Sequence, residues 1–180
     1  MNTTYTSRVR GSLLGGAIGD QLGAGIEFEP FDKISAVHGP AGVTGYVPSY
    51  GRPEGSFTDD TQMTLFVAEG LIRADNQAWK QGECDPLVPL TDAHLRWLHT
   101  QGVPAEGVDG VEAKGFGKVV SGWLIEQPVL HHQRAPGNSC LMGLKDLPRN
   151  PLVPARNDSK GCGGVMRVAP VGLALSLIHI

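Results

Sequence analysis

At 180 residues, with 41% hydrophobic and 18% charged side chains, the chain is long enough for one domain with a sizeable core and too apolar for disorder. A net charge of −3 leaves no electrostatic footprint for a nucleic-acid partner. The longest apolar run, Val171 to Ile180, is too short to span a bilayer, and the polar stretch Met1 to Arg10 lacks the apolar segment of an export signal.

Ser7 to Gly23 carries Val9, Leu13 and Ala17 on one helical row and Leu14, Ile18 and Leu22 on the next. Gly11, Gly15, Gly16 and Gly19 lie among them, which predicts a central helix packed closely against neighbours. Asp20 near its end reads as a structural acceptor for a neighbouring helix end. Glu29 to Gly55, with four prolines, predicts a long ordered loop. Thr61 to Asp75 reads as a second helix, burying Met63, Phe66, Val67 and Leu71. Asn76 to Pro89 connects it to a third that starts at Thr91-Asp92, with Leu95 and Leu98 inward and Trp97 at its flank.

Gly102 to Gly117 is glycine-rich, and Lys118 to Glu126 reads as a short helix stopped by Pro128. Another short helix is predicted from Asn138-Ser139 to Leu144. The loop Pro148 to Asp158 leads to the turn Ser159-Lys160-Gly161-Cys162-Gly163-Gly164, and a last helix follows from Val165, kinked or restarted at Pro170. Trp79, Trp97 and Trp123 read as packing residues. No alternating strand pattern of useful length occurs, so the class is all-α, a multi-helix domain covering 1–180. The chain is apolar to Ile180 with no capping glycine, which predicts that it stops inside a larger domain.

Phe57-Thr58-Asp59-Asp60-Thr61 opens the second helix. One carboxylate there is ordinary capping, because free N–H groups and the helix dipole favour negative charge. A hydroxyl beside two carboxylates also suits a hard divalent cation such as magnesium. The turn Ser159 to Gly164, before a helix, offers N–H groups to an anion, although a plain tight turn fits it equally. Three cysteines, Cys84, Cys140 and Cys162, match no zinc spacing and cannot all pair, which predicts a reducing, cytoplasmic setting. Cys162 reads as a small packed side chain. Arg134 fits a phosphate contact or an ion pair, Arg167 a structural anchor, and His131 and His132 either adenine contacts or surface residues.

Four segments in this order resemble the ADP-ribosylglycohydrolase family: Gly11 to Phe28, Ser56 to Phe66, His131 to Cys140, and Ser159 to Leu173. The resemblance implies an all-α fold with two magnesium ions at the base of a cleft, and removal of ADP-ribose from a modified protein side chain or a small ADP-ribosyl compound. It implies Thr58, Asp59 and Asp60 as metal ligands and Glu27 beside the reacting ribose, with Asp60 also catalytic. Ser159, Lys160, Gly161, Cys162, Gly163 and His132 are then the substrate contacts. The chain departs from the family at Cys162, where many members have asparagine. It also lacks the second acidic motif, Asp-x-Asp-Thr, since no Asp follows Asp158. The expectation is an N-terminal portion holding one magnesium ion or none. Its alternative is a non-catalytic relative: an immunity protein that binds an ADP-ribosyltransferase, or a structural protein. Without further helices, apolar faces along Met63 to Leu71 and Val165 to Leu175 would stand exposed.

Overall fold

The computed structural model describes residues 3–103, 121–146 and 158–176. Six α-helices are found there: α1 (Thr3–Gly23), α2 (Phe31–His38), α3 (Asp59–Gln81), α4 (Leu87–Thr100), α5 (Asn138–Asp146) and α6 (Ala169–Ser176). A 3-10 turn, Pro128–Leu130, lies between α4 and α5. No strand occurs among the described residues; an isolated bridge joins Ser49 and Arg52. The all-α class stands. The readings at Gly102 to Gly117 and Pro148 to Asp158 lie almost wholly outside the described residues, as do the first three residues of Lys118 to Glu126.

The core is a hairpin of α3 against α4. Met63 and Phe66 of α3 meet Ala93, Leu95, Trp97 and Leu98 of α4, and Leu124, Leu130, Cys140 and Leu144 close the cluster. Trp97 is fully buried at its centre, which corrects its placing at the flank. A β-carbon on Gly70 would stand 3.0 Å from that of Ala93 and 3.1 Å from a methyl of Leu90. Glycine there is what lets the two helices approach.

Gln62 is the polar centre of this core. Its amide NH2 donates to the carbonyls of Leu130 (3.4 Å) and His132 (2.9 Å). Its oxygen accepts from the Trp97 indole (3.2 Å) and the Gln101 amide (3.1 Å). Those bonds tie the segment after the 3-10 turn to both helices of the hairpin. Glu69 is likewise paired, to Arg96 at 2.9 Å inside the core and to Arg73 at 2.9 Å nearer the surface. A carboxylate left there alone would cost several kcal/mol, so the two arginines are a condition of its burial.

Several expectations fail on burial. Among the described residues α1 carries no buried side chain: Leu14 is 63% and Ile18 48% exposed, and none of them comes within 4 Å of a β-carbon built on Gly11, Gly15, Gly16 or Gly19. Among the described residues α1 is therefore peripheral, not central. The interval Glu29 to Gly55 contains α2, an eight-residue helix begun after Pro30, with Asp32 in its first turn and His38 in its last. Trp79 and Trp123 are exposed rather than packed. α3 runs on to Gln81, while Ala169 and Pro170 begin α6 after an irregular turn from Gly163 to Arg167. Of the two apolar faces, Met63, Phe66 and Val67 are covered; Val165 and Leu175 are exposed.

Candidate functional site

The head of α3 is built across a long stretch of chain. Thr58 caps the helix, its hydroxyl accepting from the Asp60 N–H at 3.3 Å. Asp20, from the end of α1, then clasps the same turn. Its Oδ2 accepts from the Thr58 N–H (2.8 Å), the Thr61 N–H (3.1 Å) and the Thr61 hydroxyl (2.5 Å), and its Oδ1 accepts from the Thr58 hydroxyl (2.7 Å). The structural reading of Asp20 is thereby met. The Asp59 N–H donates to the Arg134 carbonyl at 3.0 Å, so the segment before α5 closes the helix head from the other side.

Above this head lies a cleft of about 950 Å³, bordered by Asp20, Glu27, Thr58, Asp60, Trp123 and Cys162. That is the size of a site for a nucleotide-sized ligand. Glu27 and Asp60 face it together. Burial, then the charges of Asp60 and Asp20, raise the Glu27 carboxyl pKa; burial, then Asp20, raise that of Asp60. Asp59 is not on the cleft wall. It is buried beneath, Oδ2 accepting from the Gly137 N–H at 3.3 Å, and burial above all pushes its pKa up to about 7. None of Asp20, Glu27, Asp59 and Asp60 has a basic ion-pair partner among the described residues.

The donors suit a hard cation: one hydroxyl and adjacent carboxylates, with charge left uncompensated. They amount to part of an octahedral shell. Among the described residues, no three His, Cys, Asp or Glu side chains converge as a ready-made cation site. Thr58 and Asp60 on the cleft wall, and Asp59 beneath it, could contribute oxygens to such a shell, with water or substrate oxygens completing it.

The remaining predicted residues divide. Cys162 borders the cleft and is exposed, which corrects its reading as a packed side chain. Ser159, Lys160 and Gly161 are exposed outside the lining, and Gly163 is buried against α5. The His132 side chain is exposed and away from the cleft. Arg134 is buried, donating to the carbonyls of Phe57 (3.4 Å) and Val129 (3.1 Å) with its guanidinium 4.5 Å over the Phe57 ring. It neither forms an ion pair among the described residues nor borders the cleft. Arg167 anchors structure as expected, its guanidinium 3.4 Å from the Met63 sulfur.

Sequence reasoning missed Tyr50 and Trp123. Tyr50, at a left-handed φ of 50° beside the Ser49–Arg52 bridge, has its phenol pKa raised by burial and then by Glu27, Asp59 and Asp20. Its only sequence signal is an aromatic residue beside a turn glycine, Gly51. Trp123 borders the cleft at 66% exposure, and nothing in the local sequence distinguishes it from a core tryptophan.

A family model described as ADP-ribosylglycohydrolase matches residues 1–178. The ADP-ribosylarginine hydrolase Tri1 of Serratia proteamaculans (strain 568) is 40% identical over 67 residues, which is 37% of this chain and 17% of that protein. The chain therefore matches less than a fifth of that relative's length. No solved structure matches the chain.

Proposed function

The chain belongs to the ADP-ribosylglycohydrolase family, and from that we infer that its cleft serves the magnesium-dependent hydrolytic release of ADP-ribose from a modified side chain. Arginine-linked ADP-ribose is the first substrate to test, given the name of the Serratia relative. One observation carries the reading. Glu27 and Asp60 face a common cleft over the α3 head, close enough to raise the Glu27 pKa and with no basic residue paired to either among the described residues.

Cleaving a glycosidic bond builds positive charge at the anomeric carbon, and a carboxylate beside it stabilises that charge or takes a proton from water. Glu27 fills this role from the cleft wall, its carboxyl pKa raised by burial and then by Asp60 and Asp20. Thr58, Asp59 and Asp60 would hold the magnesium ion, which would orient ribose hydroxyls and lower the pKa of coordinated water. Asp20 fixes the Thr58 hydroxyl, while Cys162 and its turn border the substrate.

The test is release of free ADP-ribose from arginine-, serine- and small-molecule-linked compounds, with magnesium or with chelator. Glu27→Gln should lower the rate about 10²–10⁴-fold, and Asp59→Ala or Asp60→Ala should abolish the magnesium-dependent release. Release that survives both aspartate changes overturns the assignment. A second reading, binding of an ADP-ribosylated partner or an ADP-ribosyltransferase without turnover, is favoured by the lack of three converging acid, His or Cys ligands among the described residues. Calorimetric binding of ADP-ribose with no release from any compound selects it.

A further inference from the structure

Cys162 and Cys140 sit on either side of one contact. Cys162 is exposed and borders the cleft; Cys140, in α5, is 7% exposed. Between them lies Gly163, whose backbone is pressed onto the Cys140 sulfur so closely that a β-carbon built there would overlap Sγ. Cys162 is thus a single Cα step, about 3.8 Å, from a residue already touching that sulfur. Gly161, Gly163 and Gly164 flank it, and residues without a β-carbon give a turn wide freedom to rotate a neighbour inward. Burial above all raises the Cys140 thiol pKa, and the Arg167 guanidinium, 3.6 Å from Sγ, offsets part of that rise.

Cys84 has neither neighbour. It follows α3, whose 23 residues put it about 34 Å from the helix head at 1.5 Å per residue. Of the three cysteines, Cys140 and Cys162 are therefore the two that meet at one contact, through Gly163, and the turn must bring their Cα atoms within about 7 Å for a bond to close.

We propose that Cys162 and Cys140 form a reactive dithiol that closes to a disulfide on meeting a low-molecular-weight disulfide of the glutathione type, clamping the cleft-side turn to α5. The Cys162 thiolate attacks one sulfur of glutathione disulfide; the S–S bond breaks and one glutathione leaves as thiolate, taking up a proton. The Cys140 thiolate then attacks the Cys162 sulfur of the mixed disulfide and expels the second glutathione. Two protein thiols are oxidised and one disulfide is reduced to two thiols, so atoms and electrons balance. The reaction requires nothing of the cleft's own activity.

The folded chain is titrated with glutathione disulfide, and thiols are counted before and after reduction by dithiothreitol. The count should fall from three to one reversibly, with peptide mapping joining Cys140 to Cys162. Cys140→Ser should stop at one glutathione on Cys162, and exposed Cys162→Ser should form neither adduct nor disulfide at Cys140. Trypsin cleavage after Lys160 should slow several-fold once the bond closes. A wild-type count that stays at three, a wild-type product that halts at the Cys162 adduct, or a bond to Cys84 overturns the proposal. So does a closed bond that leaves Lys160 cleavage unchanged.

Discussion

Asp20→Ala removes the acceptor of four hydrogen bonds at the α3 head. A hydrogen bond to a charged group contributes about 1.5–3 kcal/mol. These four share one half-buried carboxylate and water can replace part of them, so the sum is not additive. The expected loss is about 3 kcal/mol, within the range of single-residue effects. Asp20→Asn separates charge from geometry. An amide oxygen in the place of Oδ2 still accepts from three of the four donors, so the loss is confined to the Thr58 hydroxyl's bond to Oδ1 and the interaction of a charge with the helix N-terminus, about 1–2 kcal/mol. Urea unfolding of the three chains, read as midpoint at constant slope, measures both values. An alanine variant within about 0.5 kcal/mol of wild type, or an asparagine variant as weak as alanine, refutes the clasp.

Asp59, with its pKa raised to about 7 against an unfolded value near 3.9, binds its proton more tightly when folded. Its contribution is fully present below about pH 4 and is lost as pH rises through 7, by up to about 4 kcal/mol; in chelator, Asp59→Asn should flatten that fall, as thermal melts across pH will report. Magnesium needs the ionised form, so its affinity by calorimetry should rise with pH toward 8 and its binding should release protons near pH 7. Gln62→Leu strands the Trp97 indole and the His132 carbonyl and leaves the Gln101 amide only its bond to the Thr100 hydroxyl, and should cost about 2–4 kcal/mol in urea. Gly70→Ala must push α3 from α4 and lower stability by about 1–3 kcal/mol. Gly15→Ala, where a β-carbon meets open space, should raise it by about 1 kcal/mol; a loss instead would show that face to be covered in solution.

What was legible in the sequence followed from local rules. The α3 head could be read because capping chemistry and paired carboxylates sit within five residues, and Met63, Phe66 and Val67 because helical spacing puts them on one side. Asp20 was legible as an acceptor, since a lone acid at a helix end commonly serves a neighbour. Burial of side chains with no local partner was not. Trp97, Trp79 and Trp123 look alike in sequence, yet one is the centre of the core and two are exposed, because only the crossing of α3 and α4 decides. The glycines of α1 misled for the same reason: glycine permits close approach without requiring it. Gln62 carries no pattern at all, and its importance comes from carbonyls about 70 residues away in the chain.

The clasp on the α3 head joins positions 38 and 41 residues apart. Closing such a loop costs entropy before any contact repays it. The α3–α4 hairpin, made of sequence neighbours, can assemble first, but its acidic tip then remains a frayed helix start. The geometry of that tip, with Thr58 and Thr61 held by Asp20, thus depends on α1 having docked, and a chain lacking that contact carries the acidic residues without holding them in place.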